Sequence, residues 1–295
     1  GLSLVSLSLS RVPLASTSRA TNNKLLGNKA TTNIRPPIDK HTRMEQQTSV
    51  RVALRLRPLV KKETDLNDTH TLEPHNPPDA PPQVLVNTDK RTYAYDYVFG
   101  PQDTNAKLYE SAVAPLVRHC FNGYNATVFA YGQTGAGKTY TMGSGAASTE
   151  PGATEPGIIP RAVDHLFELL ESLDADSEQY ALHVSYLEIH NEEVRDLLHP
   201  AASSAKTNIT IREDAAGDIF VHGVREVAVG SREALLACLE AGCDARTTAS
   251  TLMNEYSSRS HSLCTIRVQR NSPETATAVL AKPRQADLAG TERAK

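Results

Sequence analysis

Hydrophobic and polar positions alternate clearly from Val50 onward. Val50, Val52 and Leu54 interleave with Arg51, Ala53 and Arg55, which predicts a strand that Pro58 ends. A loop follows, with prolines from Pro74 to Pro82 that make it too rigid and polar for core. Tyr93–Phe99 alternates again and stops at Gly100-Pro101. Thr104 is placed to cap a helix whose apolar positions Leu108, Ala112, Val113, Leu116 and Val117 recur at helical spacing. Residues 126–131 (ATVFAY) form a short apolar run before a glycine, the pattern of a buried strand. Ile158–Leu173 has helical periodicity, and Leu182–Ile189 and Ile219–Val224 read as strands. Ser231 opens a helix through Leu235, Leu236 and Leu239, and Leu263–Val268 is a further strand. Strands alternating with helices predict an α/β domain, a central sheet with helices on both faces. There are no internal repeats.

Residues 1–43 break this pattern. Leu alternates with Ser at the start, but no helical face continues and Pro13 interrupts it. The segment has seven basic residues against Asp39, so it carries +6, and residues 44–295 carry −9 of the −3 total. It is basic, Ser-rich and acid-poor, as targeting segments are. Three readings stay open: a disordered or non-native extension, a flexible arm, or a targeting segment. The chain opens on Gly1, and its first methionine is Met44.

Composition narrows the class. With 295 residues, 39% hydrophobic and 22% charged, the chain is globular and long enough for a sizeable core. No stretch reaches the ~20 apolar residues of a membrane helix, so no membrane partner is expected. Cys120, Cys238, Cys243 and Cys264 form no CxxC pair and read as reduced thiols. The net charge gives no reason to expect a nucleic-acid partner.

The strongest chemistry lies at Gly132-Gln133-Thr134-Gly135-Ala136-Gly137-Lys138-Thr139. It fits GxxxxGK[ST] between an apolar strand and a predicted helix, the context that motif needs. Glycines let the backbone curl so that N–H groups point at phosphate oxygens, and the helix adds its positive end. Lys138 is placed to reach the β- and γ-phosphates, and the Thr139 hydroxyl to ligate Mg²⁺. Two later loops are weaker signals. Asn254–His261 (NEYSSRSH) reads either as a polar serine loop or as a γ-phosphate sensor. Asp287–Glu292 (DLAGTE) contains DxxG, common by chance but suggestive after a phosphate loop.

Taken in order, GQTGAGKT with Tyr140-Thr141-Met142, then NEYSSRSH, then DLAGTE resemble the kinesin motor domain. Arg55-Leu56-Arg57-Pro58 matches that family's adenine-side RxRP element, and YDYVFGPQDTNAKLYE and HVSYLEIHNEEVRDLL extend the similarity. It covers roughly residues 49–270 plus the last nine. IREDAAGDIFVHGVREV is most similar to the kinesin-4 class, the chromokinesins and their ciliary relatives.

The resemblance implies a mixed, mostly parallel sheet in a P-loop NTPase domain spanning 44–295. It implies ATP rather than GTP, since no NKxD element is present, and Mg²⁺ as cofactor. Arg55, Arg57, Pro58 and Tyr140 would border the base. Ser258 would complete Mg²⁺ coordination beside Thr139, with Asp287 holding the ion through water. Ser257 would help hold the attacking water, Gly290 would sense the γ-phosphate, and Arg259 would pair with Glu292. Microtubules are the implied partner, the cytoplasmic cytoskeleton, with cilium and spindle as candidate sites, the implied location, and ATP-driven movement the implied activity.

Two departures qualify this. The family has an apolar strand before Asp287, whereas this chain has Ala281-Lys282-Pro283-Arg284-Gln285-Ala286. Proline lacks a ladder donor, and an uncompensated buried charge costs about 3–5 kcal/mol. The segment is therefore not expected to be a faithful central strand; a splice or gene-model error and a degenerate head are both open. The chain also stops at Lys295, so an incomplete C-terminus is expected, with dimerisation confined to regions absent here and much of the basic track surface missing. The alternative function is a kinesin-like fragment without motor activity. Thr291 replaces the usual serine and keeps the hydroxyl.

Lesser candidates carry blander readings. Glu188, Glu192, Glu193 and Asp196 read as a solvated face rather than an acid–base pair. Cys238 with Cys243, and His183 with His190, read as ordinary packing rather than metal ligands. Arg212 and Arg225 read equally as track contacts or solvated surface.

Overall fold

The computed structural model describes residues 2–11, 50–143, 155–173, 179–199, 209–214, 217, 219–251, 260–271, 278–281 and 284–287. The strands are β1 (Leu2–Arg11), β2 (Val50–Leu56), β3 (Leu72–His75), β4 (Gln83–Val86), β5 (Thr92–Ala94), β6 (Tyr97–Phe99), β7 (Tyr124–Gly132), β8 (Gln179–His190), β9 (Glu193–Asp196), β10 (Thr210–Glu213), β11 (Ile219–His222), β12 (Val227–Val229), β13 (His261–Asn271), β14 (Ala278–Ala281) and β15 (Arg284–Asp287). The helices are α1 (Lys61–Asp65), α2 (Asn105–Leu108), α3 (Ala114–Phe121), α4 (Lys138–Met142), α5 (Ile158–Glu171) and α6 (Arg232–Thr251). The main sheet runs β12-β8-β13-β15-β7-β1-β2-β6, with β14 beside β13 and β9 beside β8. Strands β3-β4-β5 and β10-β11 form two small separate sheets. Part of the proline-rich loop is thus a strand, since Pro74 lies in β3.

Most predicted elements of the central region form where the periodicity put them, but the single run Tyr93–Phe99 is split, with β5 in a small sheet beside β4 and β6 in the main sheet beside β2. Thr104 caps α2, its hydroxyl accepting from Lys107 N at 3.1 Å. The predicted single helix after it contains a π turn at Tyr109–Val113. Pro115 explains the widening: it has no N–H to give, and its ring displaces the carbonyl four residues back. The core of β7, β8 and β13 packs under α3, α5 and α6, with Leu116, Val163 and Leu235 buried against Val128, Val184 and Ile266.

At Gly242, α6 rides close on the sheet. A Cβ there would stand 2.1 Å from Cδ1 of Tyr186, which is buried and cannot yield. Gly242→Ala is therefore expected to destabilise by about 1–3 kcal/mol through overpacking, despite alanine's better helix propensity. A urea midpoint that stays level or rises would refute the close approach.

Three expectations are corrected. First, residues 1–43 are not disordered throughout, because β1 lies between β7 and β2 in the main sheet. Its alternation is that of a strand. Val5 and Leu7 are buried in the core beneath the helices, while Leu2 and Leu4 pack on the other face with Leu54, Leu56 and Val84. Pro13 falls beyond the strand's end. Residues 12–49 lie outside the described residues.

Second, Arg284–Asp287 is a central strand, paired with β13 on one side and β7 on the other. Pro283 precedes the first paired residue, so the ladder loses no donor.

Third, the sheet is mixed as expected, but most neighbouring strands are antiparallel. Only β7–β15 and β2–β6 pair in parallel among the described residues. Strands β6, β2, β7, β15 and β8 point one way, but β1 and β13 are interleaved against them. Among the described residues the packed helices α3, α5 and α6 share one face rather than two. The opposite positions of β7, Thr127, Phe129 and Tyr131, are only partly covered.

Candidate functional site

Parallel neighbours β7 and β15 finish at the same edge of the sheet, where ligands bind in open α/β folds. From that edge β7 passes into the loop 132–137 and then into α4. Gly137 is the N-cap of α4 with φ of 90°, a conformation that residues with a Cβ seldom adopt. Inside the loop the Ala136 N–H donates to Gln133 O at 3.1 Å. Lys138 folds back, its Nζ donating to the carbonyls of Gly132 at 2.9 Å and Gln133 at 3.0 Å. It is nearly buried, whereas Gln133, Thr134, Gly135, Thr139 and Tyr140 are exposed. The loop therefore has an accessible rim over a held ammonium. That donor set fits a nucleotide's phosphates, and the exposed Thr139 hydroxyl fits a magnesium ligand.

The RxRP element divides its roles. Pro58 is exposed beside the loop. Arg55 is buried: it donates to Asn105 Oδ1, donates to Thr141 Oγ1 at 2.9 Å, and lies 5.0 Å from the Tyr140 ring centroid. Burial pulls its pKa down, and Tyr140 and Glu155 counter that. Arg55 thus backs the Tyr140 ring rather than facing solvent. Arg57 donates from Nε to Gly135 O at 2.7 Å and forks onto Glu63 at 2.6 and 2.7 Å. Glu63 also accepts from Val60 N at 3.0 Å. The Arg57 hydrogen bond, then that from Val60, holds the Glu63 carboxyl down at about 2.

Sequence reasoning missed Glu63, Asn105 and Glu155. The Glu155 carboxylate accepts from Asn105 N at 2.8 Å and Ala106 N at 2.7 Å and pairs with Arg161 at 3.1 Å. It lies near the end of a small-residue stretch of sequence, where nothing signalled a structural acid.

The switch candidates are placed in part. Ser257, Ser258, Arg259, Gly290 and Glu292 lie outside the described residues. Asp287 ends β15, paired with Ala130 of β7 and Ser262 of β13. The strand that follows the serine-rich element thus reaches the same edge as the phosphate loop. Ser260 is fully buried, and Arg246 donates to its carbonyl at 3.2 Å and its hydroxyl at 3.3 Å. Arg246 also donates to Ser262 Oγ at 3.2 Å and lies 3.6 Å from the buried Glu188 carboxylate.

Glu188 and Asp196 are therefore not on a solvated face. Asp196 accepts from Leu198 N at 2.9 Å and Arg225 N at 2.7 Å, while Glu192 and Glu193 are exposed. Arg225 donates to Leu198 O at 2.9 Å, and Arg212 is exposed on β10. Burial pushes the Cys120 and Cys264 thiols up to about 12. Among the described residues no group of His, Cys, Asp and Glu is arranged to hold a metal, and no helix is long and apolar enough to cross a membrane.

The kinesin motor domain family matches the chain over residues 55–295. Human chromosome-associated kinesin KIF4A is 44% identical over 250 residues, 83% of this chain and 19% of that protein. The chromosome-associated kinesin KIF4 of Xenopus laevis is 45% identical over 249 residues, 83% of this chain and 20% of that protein. Kinesin-related protein 8 of Dictyostelium discoideum is 40% identical over 234 residues, 78% of this chain and 12% of that protein. A solved structure described as a fast kinesin aligns with a TM-score of 0.72 and 33% identity, covering 82% of this chain and 65% of that one. The chain spans about a fifth of the length of the two chromosome-associated relatives.

Proposed function

The chain belongs to the kinesin motor domain family, and on that premise we propose that it binds Mg-ATP at Gly132–Thr139, hydrolyses it, and couples hydrolysis to microtubule binding and movement. The observation that carries this reading is the shared sheet edge: the phosphate loop, Asp287 and the strand after the serine-rich element converge there. Pro58 and Tyr140 flank the base, with Arg55 holding the Tyr140 ring from behind. Lys138 leaves its two loop carbonyls for the phosphate oxygens, exchanging neutral acceptors for charged ones, which bind an ammonium more strongly. Gln133, Thr134, Gly135, Ala136 and Gly137 supply the backbone cradle. Thr139 and Ser258 would hold the magnesium ion directly and Asp287 through water, and the ion would supply charge that neutralises the phosphates. Ser257 orients the attacking water, Gly290 reads the γ-phosphate, and Arg259 closes on Glu292. Positioning and charge neutralisation, rather than a strong base, suffice for this chemistry.

The test is ATP turnover by the full chain with and without polymerised microtubules. Stimulated turnover is expected. Turnover indifferent to microtubules would remove the coupling, and none under either condition would remove hydrolysis.

A further inference from the structure

Glu63 and Arg57 form a brace outside the phosphate loop, and we infer that this brace positions the loop by fixing the peptide between Gly135 and Ala136. The inference rests on the proposed nucleotide site and names two positioning residues for it. The carbonyl of Gly135 and the N–H of Ala136 belong to one planar trans unit, so they point in opposite directions. Arg57 Nε holds that carbonyl at 2.7 Å from outside. The Ala136 N–H is thereby turned inward, where it now donates to Gln133 O at 3.1 Å. A phosphate oxygen takes that N–H when nucleotide binds.

Nothing in Gly135 itself enforces this orientation. Its φ is 77°, and a Cβ there would meet nothing within 4 Å, so no packing at Gly135 opposes a turn of the peptide, which is held by the 3.1 Å bond from Ala136 N–H to Gln133 O and by Arg57. Turned over, it would aim a carbonyl oxygen at the phosphates, a repulsive contact in place of an attractive one. The brace opposes that flip. Arg57 is a planar fork whose other two nitrogens are fixed by hydrogen bonds of 2.6 and 2.7 Å to Glu63. Glu63 is itself fixed by Val60 N on the same short turn. With both anchors set, Nε has one direction left, toward Gly135. Lysine cannot replace this fork, since its single ammonium cannot hold the carboxylate and the carbonyl in fixed geometry.

The experiment uses the full chain with Glu63→Ala and Arg57→Lys, alone and together. Amide hydrogen exchange at Ala136 is read first, without nucleotide. Faster exchange in Glu63→Ala, with the thermal midpoint and exchange in β8 unchanged, is expected. Steady-state turnover is read second. Both single variants should raise KM for ATP about tenfold, the loss of one charge-assisted bond, with kcat within about twofold. The double variant should be no worse than Arg57→Lys alone, because the two residues act in series. Unchanged Ala136 exchange, a fall in kcat at constant KM, or additive effects would overturn the brace. The exchange arm needs no ATP, so an inactive wild type would count against the proposed function and leave the brace to be judged on exchange.

Discussion

Lys138→Ala is expected to abolish measurable ATP turnover while the fold survives. Lys138 is held over the loop's interior by Gly132 O and Gln133 O. Removing it takes away the charge that neutralises the phosphates as they react. Loss of one well-placed donor of this kind costs about 10²–10³ in rate, and the charge adds to that. The side chain is 9% exposed, so truncation also leaves two carbonyls without their donor. Gln133 is exposed, so water can replace the donor there, but Gly132 is buried and its carbonyl is left short of a partner; the thermal midpoint should therefore fall by several degrees, about 1–3 kcal/mol, without loss of the fold. Nucleotide binding followed by fluorescence, turnover and thermal melting together decide the matter. Retained turnover would place the active site elsewhere. Lost turnover with a collapsed melt would make Lys138 a structural residue.

The phosphate loop was legible because its chemistry is local: eight consecutive residues carry it. The strands of the central region were legible because one period dominates each. Other features needed the third dimension. Arg55 reads in sequence as an outward residue of an alternating strand, yet β2 is covered on both faces. Its partners Asn105 and Thr141 are 50 and 86 residues away. Glu63 lies in a polar helical turn that any exposed loop would resemble, and its role depends on reaching back to Arg57. Glu188 sits among acids that suggest a solvated face, and only the pairing of β8 with β13 buries it beside Arg246. Arg284–Asp287 was misjudged because Lys282 and Pro283, which precede the strand, were weighed as if inside it, and because Arg284 is accepted as its first paired residue. The actual ladder begins one residue after Pro283.

Deleting residues 1–11 is expected to cost most of the protein's stability, the opposite of what an unstructured arm would do. β1 pairs with β2 from Leu2 to Ser8 and with β7 from Ser3 to Arg11. Its removal opens two strand edges in the middle of the main sheet and strips the cover from Ala53, Leu54 and Val128. Val5 and Leu7 are at most 1% exposed, and truncating a buried leucine alone costs about 2–5 kcal/mol. A domain of this kind has about 5–15 kcal/mol in total, so losing the whole strand should leave no cooperative unfolding transition. Leu7→Ala is the graded version, with a lower urea midpoint at unchanged slope. The loss should reach the nucleotide site, because Ser3 pairs with Gly132 at the point where β7 enters the phosphate loop. A deleted chain that melts as the full chain does would mean β1 is dispensable, and β2 and β7 would then have to be held by other contacts.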